Sequence, residues 1–162
     1  MAREIGHNVI LQEGVELGDK VSIGHNVVIE EGTRIGNSVR IANNSVIGRD
    51  SLLQDYSGIG NLVYVRPQAV LGRFSYVASH SKVNTNVLPY SVITGNPARL
   101  KGANVILVDR ILGREKRDEM KEIFKLFHRG YKRPRLFDEL AAIDSEISRE
   151  ITTFMQEYVA WQ

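Results

Sequence analysis

The residues that could do chemistry are few. Cysteine is absent, which removes thiol catalysis and disulfides, and leaves four histidines and nineteen carboxylates. Two small sets recur at an interval of eighteen residues: His7 with His25, and Glu13 with Glu31 and then Arg49, next to Asp50. A carboxylate can take the proton of an attacking hydroxyl or amine if its surroundings make it basic enough. Glu31 and Asp50 are therefore a candidate pair, with His25 as a third candidate. The neighbours of Glu31 in its column carry opposite charges, so spacing alone leaves its tuning open. The plain alternative is a solvated surface ladder of Glu and Arg. A zinc centre needs a close pair of histidines plus further ligands; His7, His25, His80 and His128 offer no such pair, and no metal is expected.

These groups are carried by a repeat. Ile5, Leu11, Leu17, Ile23, Ile29 and Ile35 begin a series in which an aliphatic residue returns every sixth position, fourteen times in succession, to Val83. Four places after each stands a Val or a small residue such as Thr33, Ser45, Ser51, Ala69 or Val87. Gly follows the aliphatic residue in seven of the fourteen hexads. A period of six is neither the 3.6 of a helix nor the alternation of a flat strand, and it marks a parallel β-helix. Each hexad is one short strand and a corner, three hexads make a coil, and residues eighteen apart then stack at about 4.8 Å. Thus Glu31 and Asp50 are expected at one edge of the prism, His25 at another.

The outward positions carry a further signal. One face reads Ile10, Val28, Val46, Tyr64, an apolar stripe spaced by eighteen; a second reads Glu16, Arg34, Leu52, Val70, Leu88. A contiguous exposed apolar stripe marks a protein interface. Closed symmetry about a prism suggests a trimer, with the Glu31 edge at the subunit boundary.

The formal net charge of +2 conceals a division. Residues 1–98 carry eight basic and eight acidic side chains, residues 99–135 twelve and five, and residues 136–162 one and six. The positive band, with Lys121, Lys125 and Arg129 on one predicted helix, could dock an acidic partner or simply balance the acidic tail. Nucleic acid is not an expected partner. No apolar run reaches the length of a membrane span, and Met1–Glu4 is charged without a signal-peptide core, so a cytoplasmic location is expected.

Pro89 occupies the slot of the next aliphatic residue. Proline cannot donate to a ladder, so stacking is expected to end there, with an irregular exit loop through Gly95-Asn96-Pro97. Beyond it, Met120, Ile123, Phe124, Phe127 and Tyr131 fall at helical spacing, followed by sets at Leu136–Ile143 and Ile147–Tyr158. The expectation is a mainly β chain: a β-helix domain over 1–98, then an exit loop and a helical domain of two or three short helices over 99–162.

The run Leu88-Pro89-Tyr90-Ser91-Val92-Ile93, with Gly95-Asn96, Gly102, Asn104 and Arg110, resembles the segment that closes the left-handed β-helix of acyl-carrier-protein:UDP-N-acetylglucosamine O-acyltransferases, which begin lipid A synthesis. The resemblance runs without a gap from about Gly32 to Arg110. It implies left-handed winding, a homotrimer with sites between subunits, an acyl donor on acyl carrier protein or a coenzyme A thioester, a nucleotide-sugar acceptor and no bound cofactor. By that resemblance the general-base histidine of the family falls on Glu31, and other site histidines fall on Val28, Asp50 and Arg66. The histidine of the acyl-selecting loop falls on Pro97. The nucleotide-contacting Asn and Arg of the family match Asn104 and Arg110. Lys121, Lys125 and Arg129 would meet the carrier.

Overall fold

The structure, a computed structural model, describes residues 4–159. Most of the charged start, Met1–Arg3, lies outside the described residues. Fourteen two-residue strands, β1 to β14, run from Glu4–Ile5 to Lys82–Val83 and wind into a three-sided parallel prism. Every register step along a sheet is eighteen residues: Ile5 lies against Ile23, Ile10 against Val28, and Glu16 against Arg34. Each strand contributes one outward residue and one inward aliphatic, and Ile29, Ile47, Leu53, Val65, Leu71, Val77 and Val83 are fully buried in a single stacked core.

Two devices turn the corner. Up to His80, the residue three places after the inward aliphatic holds a positive φ, as at Asn8, Lys20, Tyr56 and Phe74, with Gly14 and Gly32 in the same role. The glycine directly after the aliphatic meets the next coil: a Cβ on Gly72 would stand 2.4 Å from the Pro89 nitrogen. At several corners the small residue is a buried Thr or Ser whose hydroxyl reaches the next coil. Thr33 donates to the Gly48 carbonyl at 3.1 Å, and Ser45 to that of Gly60 at 3.0 Å.

The exit differs from the sequence expectation. Stacking does not end at Pro89, because the last coil is two residues short and the register drops from eighteen to sixteen. Val87 bridges Leu71 and takes the aliphatic slot that counting assigned to Pro89. Strand β15 (Ser91–Gly95) pairs in parallel with Tyr76–Val77, placing Ile93 beside Val77. It then turns through Asn96-Pro97 into the antiparallel strand β16 (Ala98–Ala103). The segment expected as an irregular loop is thus a hairpin that extends the first sheet past residue 98. Leu88 does not continue the second outward face; it packs against the helices.

Four helices follow, more than the two or three expected: α1 (Val105–Leu112), α2 (Arg114–His128), α3 (Arg133–Ile143) and α4 (Glu146–Tyr158). Gly113, at φ 89°, separates α1 from α2. A column of corner aromatics joins the two cores. Tyr56 stacks on Phe74 at 4.8 Å and Phe74 on Tyr90 at 5.5 Å, and Phe74 and Tyr90 are buried among the helices. The Tyr90 hydroxyl donates to Glu150 on α4, and the Arg73 guanidinium stands 3.8 Å from the same carboxylate.

Two expectations follow from this architecture. Gly72→Ala forces a Cβ against backbone and costs about 1–3 kcal/mol by overpacking, whereas Gly102, with nothing within 4 Å, accepts Ala with little change; thermal unfolding of the two variants compares them. Burial, and then the hydrogen bond and charge of Glu150, raise the Tyr90 pKa above its ordinary value. The folded state therefore holds that proton after the unfolded chain, at about pH 10, has released it. Tyr90 contributes its full stabilisation below about pH 10 and loses it progressively above. The stability difference between the parent and Tyr90→Phe shrinks across that range, as read from denaturant midpoints between pH 8 and 12.

Candidate functional site

The corner edges are built from polar side chains, many of them already employed. At the edge between the first and second sheets, each backbone N–H donates to the side chain one coil above: His7 to His25 Nδ1 at 2.9 Å, His25 to Asn43 at 2.7 Å, Asn43 to Asn61 at 3.0 Å and Asn61 to the Ser79 hydroxyl at 3.0 Å. The rings of His7 and His25 stack 5.2 Å apart. With Nδ1 accepting, the neutral ring carries its proton on Nε2 and faces outward as a donor. His25 is thus a rung of the ladder.

The edge between the second and third sheets holds Glu31, Asp50 and Arg66 in successive coils. Asp50 N–H donates to the Glu31 carbonyl at 2.9 Å, so the two residues are one coil apart, as the spacing required. Both are exposed. Neither carboxylate has a hydrogen-bond or ion-pair partner among the described residues, which leaves both open to accept a proton. Arg66 is half-buried further up the same edge, donating to the Pro67 carbonyl at 2.9 Å and towards Asn86 at 3.4 Å.

Asn104 and Arg110 lie elsewhere, and together. Asn104 begins α1, and Arg110 lies one and a half turns on; both line a cavity of about 370 Å³ between α1 and the outer face of the first sheet. Arg40, Tyr56 and Tyr76 are among its other walls, with Ile106, Leu107 and Ile111 on the helix side. The Asn104 side chain donates to the Phe74 carbonyl at 2.8 Å and is buried. It therefore anchors the helix start as well as bordering the cavity. Arg40 and Arg110 form no ion pair among the described residues. Lys121, Lys125 and Arg129 are exposed on α2. Lys121 lies 3.7 Å from Asp118, Lys125 2.6 Å from Glu122, and Arg129 points to the Tyr131 hydroxyl at 3.5 Å. The band is thus partly neutralised along its own helix.

A second cavity, of about 500 Å³, opens where the shortened coil meets α2 and α4, with Arg66 and Arg99 among its lining. Sequence reading did not find it, because the two-residue shortening that creates it is invisible in a count by sixes.

The prism and its period are matched by a known repeat. Residues 14–49 match the family model of the bacterial transferase hexapeptide, six repeats. The winding of such repeats is left-handed, as the resemblance implied. Among solved structures, a UDP-N-acetylglucosamine acyltransferase from Campylobacter jejuni is 14% identical with a TM-score of 0.58, over 96% of this chain and 92% of that one. An N-acyltransferase from Bacillus cereus, solved with dTDP and 3-hydroxybutyryl-CoA, is 19% identical with a TM-score of 0.56, over 68% and 79%. A hexapeptide-repeat acetyltransferase from Vibrio cholerae is 23% identical with a TM-score of 0.54, over 62% and 73%. At these identities the likeness shows a shared fold. No curated protein matches the sequence. Among the described residues no helix is long and apolar enough to cross a membrane.

Proposed function

We propose that the chain is an acyltransferase that moves an acyl group from a thioester, on acyl carrier protein or coenzyme A, to a nucleotide sugar, working as a homotrimer. The observation that carries this reading is the convergence of Asn104 and Arg110 on one cavity with Arg40 and two tyrosines. Two cations without a partner carboxylate suit a diphosphate, and the exposed ring of Tyr76 suits a sugar or a base. The Bacillus cereus and Campylobacter jejuni structures, both acyltransferases by name, support the substrate class.

In this reading Glu31 takes the proton from the attacking hydroxyl or amine as the thioester carbonyl is approached, and Asp50 stands beside it to orient the nucleophile. Arg66 contacts the acyl donor higher on the same edge, away from the Asn104 and Arg110 cavity. The stripe Ile10, Val28, Val46 and Tyr64, aligned in register on the second sheet, packs against copies of itself around the axis. Lys121, Lys125 and Arg129 attract the carrier. One observation favours a second reading, a non-catalytic trimer that binds nucleotide sugar or carrier: none of Val28, Glu31, Asp50 and Arg66 is the histidine that the resemblance places there.

The test is direct. With UDP-N-acetylglucosamine as probe, Arg110→Ala weakens binding about tenfold or more, the loss of one charge-assisted contact worth roughly 1.5–3 kcal/mol; unchanged affinity removes the nucleotide assignment. In a transfer assay with acyl-CoA or acyl carrier protein donors, Glu31→Gln lowers turnover by about 10²- to 10⁴-fold with nucleotide binding intact. Normal turnover in that variant excludes Glu31 as base, and nucleotide binding without any transfer by the parent protein selects the non-catalytic reading.

A further inference from the structure

The larger cavity lies apart from the Asn104 and Arg110 pocket and has a different character. Its walls include Leu88, Leu100, Phe127 and Val159, drawn from the shortened coil, strand β16, helix α2 and the residue that follows α4. Two arginines border this apolar space, and neither is in an ion pair among the described residues. Arg99 is exposed and, among the described residues, donates only to the carbonyl of Ala98 at 3.2 Å. Arg66 is the more telling. Its Nη1 is spent on Pro67, and its Nη2 reaches Asn86 at a long 3.4 Å. Its Nε is buried and has no hydrogen-bond partner among the described residues.

A buried guanidinium N–H without an acceptor is costly. The Nε–H and the neighbouring Nη–H of an arginine form the edge that a carboxylate meets with both oxygens. Asn86 is held in place beside it. Its Oδ1 accepts the Val70 N–H at 2.9 Å, and its Nδ2 donates to the Tyr158 carbonyl at 2.6 Å. The coil edge and the end of α4 are thereby fixed on either side of Arg66, so the cationic edge is preorganised and not a free surface side chain. The volume of about 500 Å³ falls within the range of small-molecule sites.

We propose that this cavity binds a carboxylate with an apolar body, the carboxylate on Arg66 with Arg99 at the rim and the apolar body against Leu100 and Phe127. The site is separate from the Asn104 and Arg110 pocket; it shares Arg66 with the proposed donor contact, and its test reads binding of the carboxylate without transfer.

Isothermal titration with decanoate and with decanol tests it, alongside Arg66→Met, Leu100→Glu and the UDP-N-acetylglucosamine titration as control. Decanoate binds the parent protein at least about tenfold more tightly than decanol, one charge-assisted pair being worth 1.4 kcal/mol or more. Arg66→Met removes that preference, and Leu100→Glu removes binding of both probes. Equal affinity for acid and alcohol overturns the assignment of Arg66, and absence of decanoate binding overturns the site. Either result leaves the nucleotide titration unaffected, so failure here is distinguishable from failure of the proposed function. An Arg66→Met chain with an altered unfolding midpoint is replaced by Arg66→Lys, which keeps the charge without the two-point edge; decanoate affinity unchanged in Arg66→Lys counts against bidentate recognition.

Discussion

Everything in this molecule rests on one coil lying directly upon the next. Stacking is fixed by backbone hydrogen bonds at the strands, as when Gly24 N–H donates to the Ile41 carbonyl at 2.8 Å and Gly36 to that of Leu53 at 2.7 Å. Because both chains approach at backbone distance, the residue beside each such contact has no room for a Cβ; on Gly48 it would come within 2.5 Å of the Pro67 nitrogen. The same closeness decides which polar side chains are free. Corner N–H groups that find no carbonyl are met by His25, Asn37, Asn43, Asp55 or Asn61 from the coil above. A buried or half-buried N–H left unpaired is expensive, so these side chains serve the stack first. Glu31 and Asp50 are not bound by that duty through their carboxylates, and this separates them from His25 as candidates for chemistry.

The second constraint is the missing pair of residues in the last coil. With sixteen residues where eighteen are usual, the corner after Val83 is cut short, and Val87 plugs the core beneath it. Tyr90 then falls directly above Phe74 and completes the aromatic stack. Its hydroxyl meets Glu150, so the shortening also fixes where α4 docks. Asn86 occupies the tight edge and ties it to Tyr158. The room left between the truncated corner and the helices is the larger cavity. One local change in chain length therefore sets the end of the prism, the seat of the helices and the exposure of Arg66.

What the sequence makes legible is whatever a single geometric demand repeats. Ile5 to Val83 could be read because each inward position requires an aliphatic and each corner a small residue, fourteen times over. The edge grouping of Glu31 with Asp50, apart from His25, followed from the same count and is what the structure shows. The exit was not legible by that means. Pro89 reads as a terminator, yet the proline sits where no ladder donor is called for, and the strand resumes at Ser91. Helix α1, with its run Val105-Ile106-Leu107-Val108, carries β-branched residues that read poorly as helix; in the fold Val108 is buried in the core that holds Phe74 and Tyr90. The pairing of Lys121 with Asp118 and of Lys125 with Glu122 along α2 does not show in a count of charges by segment. For Asn104 the difficulty is of another kind, since one amide can both hold Phe74 and border a pocket, and its identity does not distinguish the two.

The positions of the two candidate regions carry a consequence for assembly. On a three-sided prism the edge between the second and third sheets lies opposite the first sheet. Glu31 stands on that edge, while Arg40 and Arg110 border the cavity on the first sheet's outer face. Within one chain the hydrophobic core lies between them. Their heights nevertheless agree: Ser38 and Arg40, at the foot of the cavity, follow Glu31 by seven and nine residues, half of one coil. A rotation about an axis parallel to the prism preserves height. Under the proposed function, an acceptor held beside Arg110 therefore meets a Glu31 carboxylate only if that carboxylate comes from a second copy. The apolar register of Ile10, Val28, Val46 and Tyr64, adjoining the Glu31 edge, is the surface available to bring that copy to the required level.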